Sequence, residues 1–272
     1  MNEYSVLMSV YNKENPEYLK QSIQSMLEQT AVTNNFVIIC DGPLTEALDA
    51  VLADYENKIP KLFTIVRLPQ NKGLGAALNE GIKHCKNELI ARMDSDDISC
   101  SDRCALQLEI FGRPESVDIV SGTIRESNEN MEYTGILKKL PRNHNELLIY
   151  AKRRCPFNHP CVMYKKSAVL DAGGYQPFYL FEDYHLWVRM LTNGSIGYNI
   201  ELPLLDMRAG SSMYKRRGGL KYLQSSIRLR YWMKKIGFIG LTDLIFCVLG
   251  QGIVCLLPNS IRRGIYKRFL RS

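Results

Sequence analysis

A chain of 272 residues with 46% hydrophobic side chains can bury a sizeable core, enough for one α/β domain with an appendage. Its net charge of +7 is uneven: residues 207–272 hold 14 basic side chains against one acid, Asp243, so a +13 tail follows a body of −6. Eight cysteines in a chain of this size, with no secretory signal ahead of the first strand, exclude a small disulfide scaffold and predict reduced thiols. The Cys100/Cys104 and Cys155/Cys161 spacings lack the paired short intervals of a zinc site, and Cys40, Cys85, Cys247 and Cys255 sit in apolar runs as small core residues.

Tyr4 to Val10 reads as the first strand, ending in Tyr11-Asn12. Asn15-Pro16-Glu17 opens a helix whose Leu19, Ile23, Met26 and Leu27 share one face. Phe36 to Cys40 is the second strand, and Asp41-Gly42-Pro43 puts a carboxylate and turn formers at its carboxyl end; Asp41 reads equally as turn former or ligand. A helix through Ala47 to Tyr55, a strand over Leu62 to Leu68, and a helix after Asn71-Lys72-Gly73-Leu74-Gly75 continue a β-α-β-α rhythm. The next strand, Glu88 to Met93, ends in Asp94-Ser95-Asp96-Asp97. Right-handed crossovers then bring Tyr11-Asn12, Asp41 and the acidic cluster to one sheet edge.

Beyond it, the spacing predicts a helix over Asp102 to Phe111, a strand over Val117 to Ile124 and a helix over Asn143 to Ala151. His159 lies between Pro156 and Pro160, ahead of a strand from Cys161 to Tyr164. A short helix from Ser167 to Ala172 stops at Gly173-Gly174. Glu182 and Asp183 open a last helix with Leu186, Trp187, Met190 and Leu191 facing the core, and such acids also serve simply to complement a helix dipole.

An acidic cluster after an apolar strand has few structural uses. Its hard oxygens suit Mg2+ or Mn2+ shared with a phosphate-bearing substrate. The alternative is a helix start, with Asp96, Asp97, Ser99 and Ser101 as caps for the segment near Asp102.

In order and spacing, Ser9-Val10-Tyr11-Asn12, Asp41-Gly42, Asn71-Lys72-Gly73-Leu74, Asp94-Ser95-Asp96-Asp97, Gly173-Gly174-Tyr175 and Glu182-Asp183 with Trp187 resemble the inverting glycosyltransferases of family 2. The resemblance spans residues 3 to 215, and its Asp41-Gly42-Pro43-Leu44 and Asn158-His159-Pro160 segments are similar to the amylovoran-type branch that builds exopolysaccharide and O-antigen. It implies a GT-A (Rossmann-like) catalytic domain over 1–215, which leaves 216–272 as a separate region that its charge and apolar runs mark as helical and membrane-associating. It further implies a UDP-sugar donor held by Val10, Tyr11, Asn12, Asp41, Asn71, Lys72, Gly73, Asp94, Ser95, His159 and Arg208. Asp41 would meet the uracil edge; the family's more common Asp-Asp pair is Cys40-Asp41 here, which removes one carboxylate. Asp94, Asp96 and Asp97 would hold Mn2+ or Mg2+, and Asp183, or Glu182 in its place, would be the general base. Arg208, Lys215, Arg216 and Arg217 fit a loop closing over the diphosphate or, equally, a solvated basic surface.

Leu220 to Ile236 is basic and amphipathic, and Ile236 to Leu257 is nearly long enough to span a bilayer. Asp243, costing about 2.5 to 3.5 kcal/mol at a helix centre, argues against spanning. The expectation is a surface-bound tail on the anionic cytoplasmic face of a bacterial inner membrane, near a lipid-linked saccharide acceptor, with packing on the core as the alternative. Nucleic acid does not fit the apolar run. Two rival readings are a sugar-1-phosphate nucleotidyltransferase, against which the glycine-free Val10–Pro16 segment counts, and a non-catalytic basic binding module.

Overall fold

A computed structural model describes residues 3–209 and 219–256. In β1 (Tyr4–Val10), Tyr4, Val6, Met8 and Val10 bury themselves on one side of the sheet and Leu7 on the other, as the two-residue period of a strand requires. Buried on both faces, β1 lies inside a parallel group with β2 (Asn35–Cys40), β3 (Phe63–Arg67) and β4 (Leu89–Asp94), in the order β3-β2-β1-β4. The chain therefore winds outward through β2 and β3 and returns to the other flank of β1. That reversal opens a crevice at the carboxyl ends of β1 and β4, the usual ligand position in such sheets.

The sheet continues with β8 (Met163–Lys165), antiparallel to β4, then β6 (Ile119–Ser127), β9 (Gly197–Arg208) and the two-residue β5 (Ile98–Ser99), while β7 (Tyr133–Lys138) pairs with β6. One face is covered by α1 (Pro16–Leu27), α2 (Glu46–Lys58) and α4 (Arg103–Phe111). On the opposite face lie α3 (Leu74–His84), α5 (His144–Ala151), α6 (Lys166–Asp171) and α7 (Glu182–Thr192). Gly81 lets α3 sit directly on the sheet, since a Cβ there would come within 2.2 Å of Leu7 Cδ1. The Asn15 side chain caps α1 by accepting from Glu17 N–H at 2.8 Å.

The expected strands and helices through residue 192 are present. The helix-start alternative for the acidic cluster is not: Asp96 and Asp97 precede β5, and Asp102, at the cap position of α4, makes no side-chain cap bond. β5, β7 and β9 are additions to the elements expected from the sequence.

Two further helices follow, α8 (Leu220–Lys235) and α9 (Leu241–Leu256). α8 packs on the body: Leu229 and Met233 form a third apolar cluster with Tyr184 and Val188 of α7. α9 leaves Leu241, Ile245, Phe246, Leu249 and Ile253 exposed. Asp243 turns toward the body instead, pairing with Arg153 at 2.8 Å. Among the described residues, no helix is long and apolar enough to cross a membrane. The basic residues Lys215, Arg216, Arg217, Arg262, Arg263, Lys267 and Arg268, and the expected boundary at 215/216, lie outside the described residues.

Candidate active site

Register places the strand ends level: Ser9 of β1 opposes Asp94 of β4, and Val10 opposes Cys40 of β2. Val10 is buried, while Tyr11 and Asn12 emerge exposed just past it.

Arg92 and Asp94, two residues apart, share a face of β4. The Arg92 guanidinium, 1% exposed, donates through both terminal nitrogens to the Asp94 carboxylate, with Nη1–Oδ2 at 2.6 Å. Arg103, equally buried, donates to the Arg92 carbonyl at 2.6 Å and to Gln107 Oε1 at 3.2 Å, so a second cation braces the strand behind the first. The Ser22 hydroxyl of α1 donates to the Asp94 carbonyl at 2.6 Å. Asp94 is thus fixed through both side chain and backbone.

Asp94, Asp96 and Asp97 each bring an oxygen within 4.8 Å of the others. Burial, with the neighbouring charges of Asp94 and Glu14, pushes Asp96 up to about 7. Burial and the charges of Asp96 and Asp94 hold Asp97 well above the usual carboxylate range. Carboxylates that resist ionising together are relieved by a divalent cation, and three hard oxygens are the donor set Mn2+ or Mg2+ prefers. The residues present fit such an ion. Glu14 adds a fourth acid at the rim, accepting from the Ser95 hydroxyl at 2.6 Å.

Arg208, at the end of β9, closes the cluster from the far side. Its backbone N–H donates to Asp97 Oδ1 at 2.8 Å, and its guanidinium donates to the Asp96 carbonyl at 2.7 Å and to Gln21 Oε1 at 2.6 Å. The same guanidinium lies 3.8 Å from the Tyr18 ring centroid. These partners engage Arg208 in bracing the acidic turn.

Asp41, buried at the end of β2, accepts from Lys72 N–H at 2.7 Å and Gly73 N–H at 3.0 Å, and the Asn71 amide donates to its carbonyl at 3.1 Å. Gly42, at φ +90°, is required here because a Cβ would come within 2.7 Å of Asn71 N. The Asn71–Gly73 loop is therefore clamped to the strand edge, and α3 starts from it.

From α3 the contacts lead to α7. Asn79 exchanges hydrogen bonds with the Tyr175 backbone at 2.6 and 2.7 Å. A Cβ on Gly75 would lie 3.4 Å from Tyr175 Cβ and 3.7 Å from Glu182 Cβ, so the first turn of α7 abuts the first turn of α3. Asp183 Oδ1 accepts from Tyr184 N–H at 2.7 Å, and Cys155 Sγ lies 3.8 Å from Asp183 Oδ2. His159 is buried in the wall behind, its Nε2 2.8 Å from the Tyr175 hydroxyl and its ring against Trp187. Burial, aided by the Arg92 charge, holds His159 well below its ordinary pKa, so its ring is neutral. Contacts through Asp41, the Asn71–Gly73 loop, Gly75 and Glu182 thus run from the end of β2 to the start of α7.

The glycosyl transferase family 2 profile matches residues 5–172. The chain belongs to glycosyltransferase family 2. An Escherichia coli UDP-Gal:alpha-D-GlcNAc-diphosphoundecaprenol beta-1,3-galactosyltransferase is 40% identical over 99% of this chain and 97% of its own length. The amylovoran biosynthesis glycosyltransferase AmsE of Erwinia amylovora is 36% identical over 97% and 98% respectively. In fold, this glycosyltransferase is similar to S. aureus TarS 1-349 in complex with UDP-GlcNAc, with a TM-score of 0.63, 16% identity and coverage of 98% of this chain and 71% of that one. It is also similar to the mannosyltransferase PcManGT from Pyrobaculum calidifontis in complex with GDP-Man and Mn2+, at a TM-score of 0.61, 13% identity and coverage of 99% and 88%. These likenesses give the family and the GT-A fold.

Sequence reasoning passed over Arg92, Glu14 and Cys155. Arg92 had a signal: a lone cation inside an apolar strand, in phase with an acid two residues on. Glu14 and Cys155 had none, because only the fold brings residues 14 and 95, or 155 and 183, together.

Proposed function

We propose that this glycosyltransferase moves a hexose or N-acetylhexosamine from a UDP-sugar to a saccharide linked through diphosphate to a lipid, with inversion at the anomeric carbon, in O-antigen, capsule or exopolysaccharide assembly. The observation that carries the reading is the convergence of Asp94, Asp96 and Asp97 at the β1/β4 crevice of a family 2 fold. The activity named for the E. coli relative, similar along nearly its whole length, supports the donor and acceptor classes.

In this reading Asp94, Asp96 and Asp97 hold Mn2+ or Mg2+, which supplies charge neutralisation for the departing diphosphate. Arg92 and Arg208 keep the carboxylates in place, so that little reorganisation accompanies loss of the nucleotide. Asp41 keeps lone pairs on oxygens already anchored by Lys72 and Gly73 N–H, and one of them accepts from the uracil imide. Asp183 takes the proton of the acceptor hydroxyl as its oxygen bonds to the anomeric carbon, and the bond to the diphosphate oxygen breaks on the opposite face. One displacement gives one inversion. His159, neutral and buried, supports Tyr175 and the wall.

The exposed apolar side of α9 supports peripheral attachment to the anionic cytoplasmic face of a bacterial inner membrane, with the basic tail adding about 1 kcal/mol per side chain near such a surface. Purified full-length protein, incubated with a panel of UDP-sugars, Mn2+ and a synthetic N-acetylglucosaminyl diphospholipid, is expected to extend the lipid by one sugar. No transfer from any UDP-sugar to that acceptor or its disaccharide homologue would overturn the substrate reading.

A further inference from the structure

α8 reaches the first turn of α7 through one buried side chain. Arg230 is 7% exposed. Its Nη1 donates to the Tyr184 hydroxyl at 2.7 Å and the Lys152 carbonyl at 3.2 Å, its Nη2 donates to the Arg153 carbonyl at 2.7 Å, and its Cζ lies 4.9 Å from the Tyr184 ring centroid. The Tyr184 hydroxyl in turn donates to the Ala151 carbonyl at 2.6 Å. One guanidinium therefore fastens the turn after α5 to the residue next to Asp183.

That turn ends at Cys155, whose thiol lies 3.8 Å from Asp183 Oδ2 and 3.5 Å from the Phe157 carbonyl. Burial and the Asp183 charge raise the Cys155 pKa, so the sulfur keeps its proton. Asp183 Oδ1 is held by Tyr184 N–H. Both oxygens of the carboxylate thus touch residues, Cys155 and Tyr184, that lie on the two segments Arg230 ties together.

We propose that Arg230 of α8 is a positioning residue for Asp183, and that α8 is part of the machinery for proton removal from the acceptor as well as a packing element. The proposal rests on Asp183 being the general base. A planar fork with several N–H groups is needed because three acceptors on two segments must be met at once, and a lysine ammonium at the end of a flexible stem does not reproduce that geometry. Misplacement of a reacting group by about 1 Å costs on the order of 10²-fold.

The test is a double-mutant cycle in the full-length protein, with Arg230→Lys, Asp183→Asn and the pair, reading kcat, KM for the UDP-sugar and the melting midpoint. Arg230→Lys is expected to lower kcat by about 10- to 100-fold and to leave KM for the UDP-sugar within about twofold. In the Asp183→Asn background it is expected to add nothing, since Arg230 acts through that carboxylate. An undiminished kcat in Arg230→Lys, or losses that multiply in the pair, would overturn the proposal. Should Arg230→Lys fail to fold, Tyr184→Phe, which removes the hydroxyl between Arg230 and Ala151, takes its place with the same non-additivity expected and the same outcomes decisive. A normal kcat in Asp183→Asn alone would instead remove the general-base reading on which the proposal stands.

Discussion

The carboxylates at the end of β4 and those at the start of α7 are the two sets of acids the proposed transfer uses, and they are held by different kinds of structure. Asp94, Asp96 and Asp97 sit at and just past the end of β4, with Arg92 beneath and Arg208 across, and their braces come from the sheet, α1 and α4. Asp183 sits at a helix start whose supports include the turn after α5 and α8, far along the chain. The first arrangement concentrates negative charge and resists ionisation, which suits a site for a cation and a diphosphate. The second sets a carboxylate oxygen beside a thiol and another on a backbone N–H, which in the proposed reading suits a group that accepts a proton. A single-displacement transfer needs both kinds, on separate elements.

The largest expected effect is on the first. Asp96→Asn removes charge from the centre of the cluster and should cost on the order of 10³-fold in kcat/KM, and excess chelator should abolish turnover that Mn2+ or Mg2+ restores. Full turnover in chelator would break the contrast, since the acidic turn would then have no cation to hold. Asp183→Asn comes next, with a kcat loss of about 10²- to 10⁴-fold. Glu182→Gln should lose less, because Glu182 packs against the start of α3 while Asp183 meets Cys155; the reverse order in steady-state kinetics would transfer the role to Glu182.

A smaller effect separates α8 from α9. Replacing Leu249 by Asn on the exposed side of α9, which removes the apolar group without adding charge, should weaken binding to anionic liposomes by about tenfold or more, the value of one buried leucine, while soluble-acceptor turnover stays unchanged. Equal sedimentation of variant and parent would show that this side meets something other than lipid.

The smallest effect is on stability. His185 lies between Phe178 and Trp232 where α7 meets α8, and burial with the Arg189 charge lowers its pKa from 6.5 to about 4. Above about 6.5 the ring is neutral folded or unfolded; below it the unfolded chain takes up a proton that the folded chain refuses, so stability falls as pH drops toward 4. Urea midpoints should decline over that window in the parent and decline less in His185→Gln.

How legible each region was follows from range. The β1–β4 half is built from neighbouring β-α units, so apolar runs and their polar ends read directly as strands with a functional edge. β9 was opaque: Pro203 interrupts its pattern, and its pairing with β6 shifts register at Thr123↔Pro203, so it shows no clean alternation. β7 is an exposed strand paired to β6. Without β9, only the family resemblance set Arg208 at the same site as the acidic cluster; the pattern of the residues themselves did not show its return to Asp96 and Asp97. The basic face of α8 suggested a lipid surface, whereas Tyr222, Leu229 and Met233 are buried and Arg230 is turned inward. Charge composition alone does not say which way a cation points.

The division of labour between the two sets of carboxylates is tested most directly by calorimetric binding of UDP with and without Mn2+ to the parent, Asp96→Asn and Asp183→Asn proteins. Asp183→Asn should bind UDP with the parent's affinity and the parent's Mn2+ dependence while failing to transfer sugar, and Asp96→Asn should lose the Mn2+-dependent part of its affinity. Mn2+-dependent binding that survives in Asp96→Asn, or disappears in Asp183→Asn, would contradict the account.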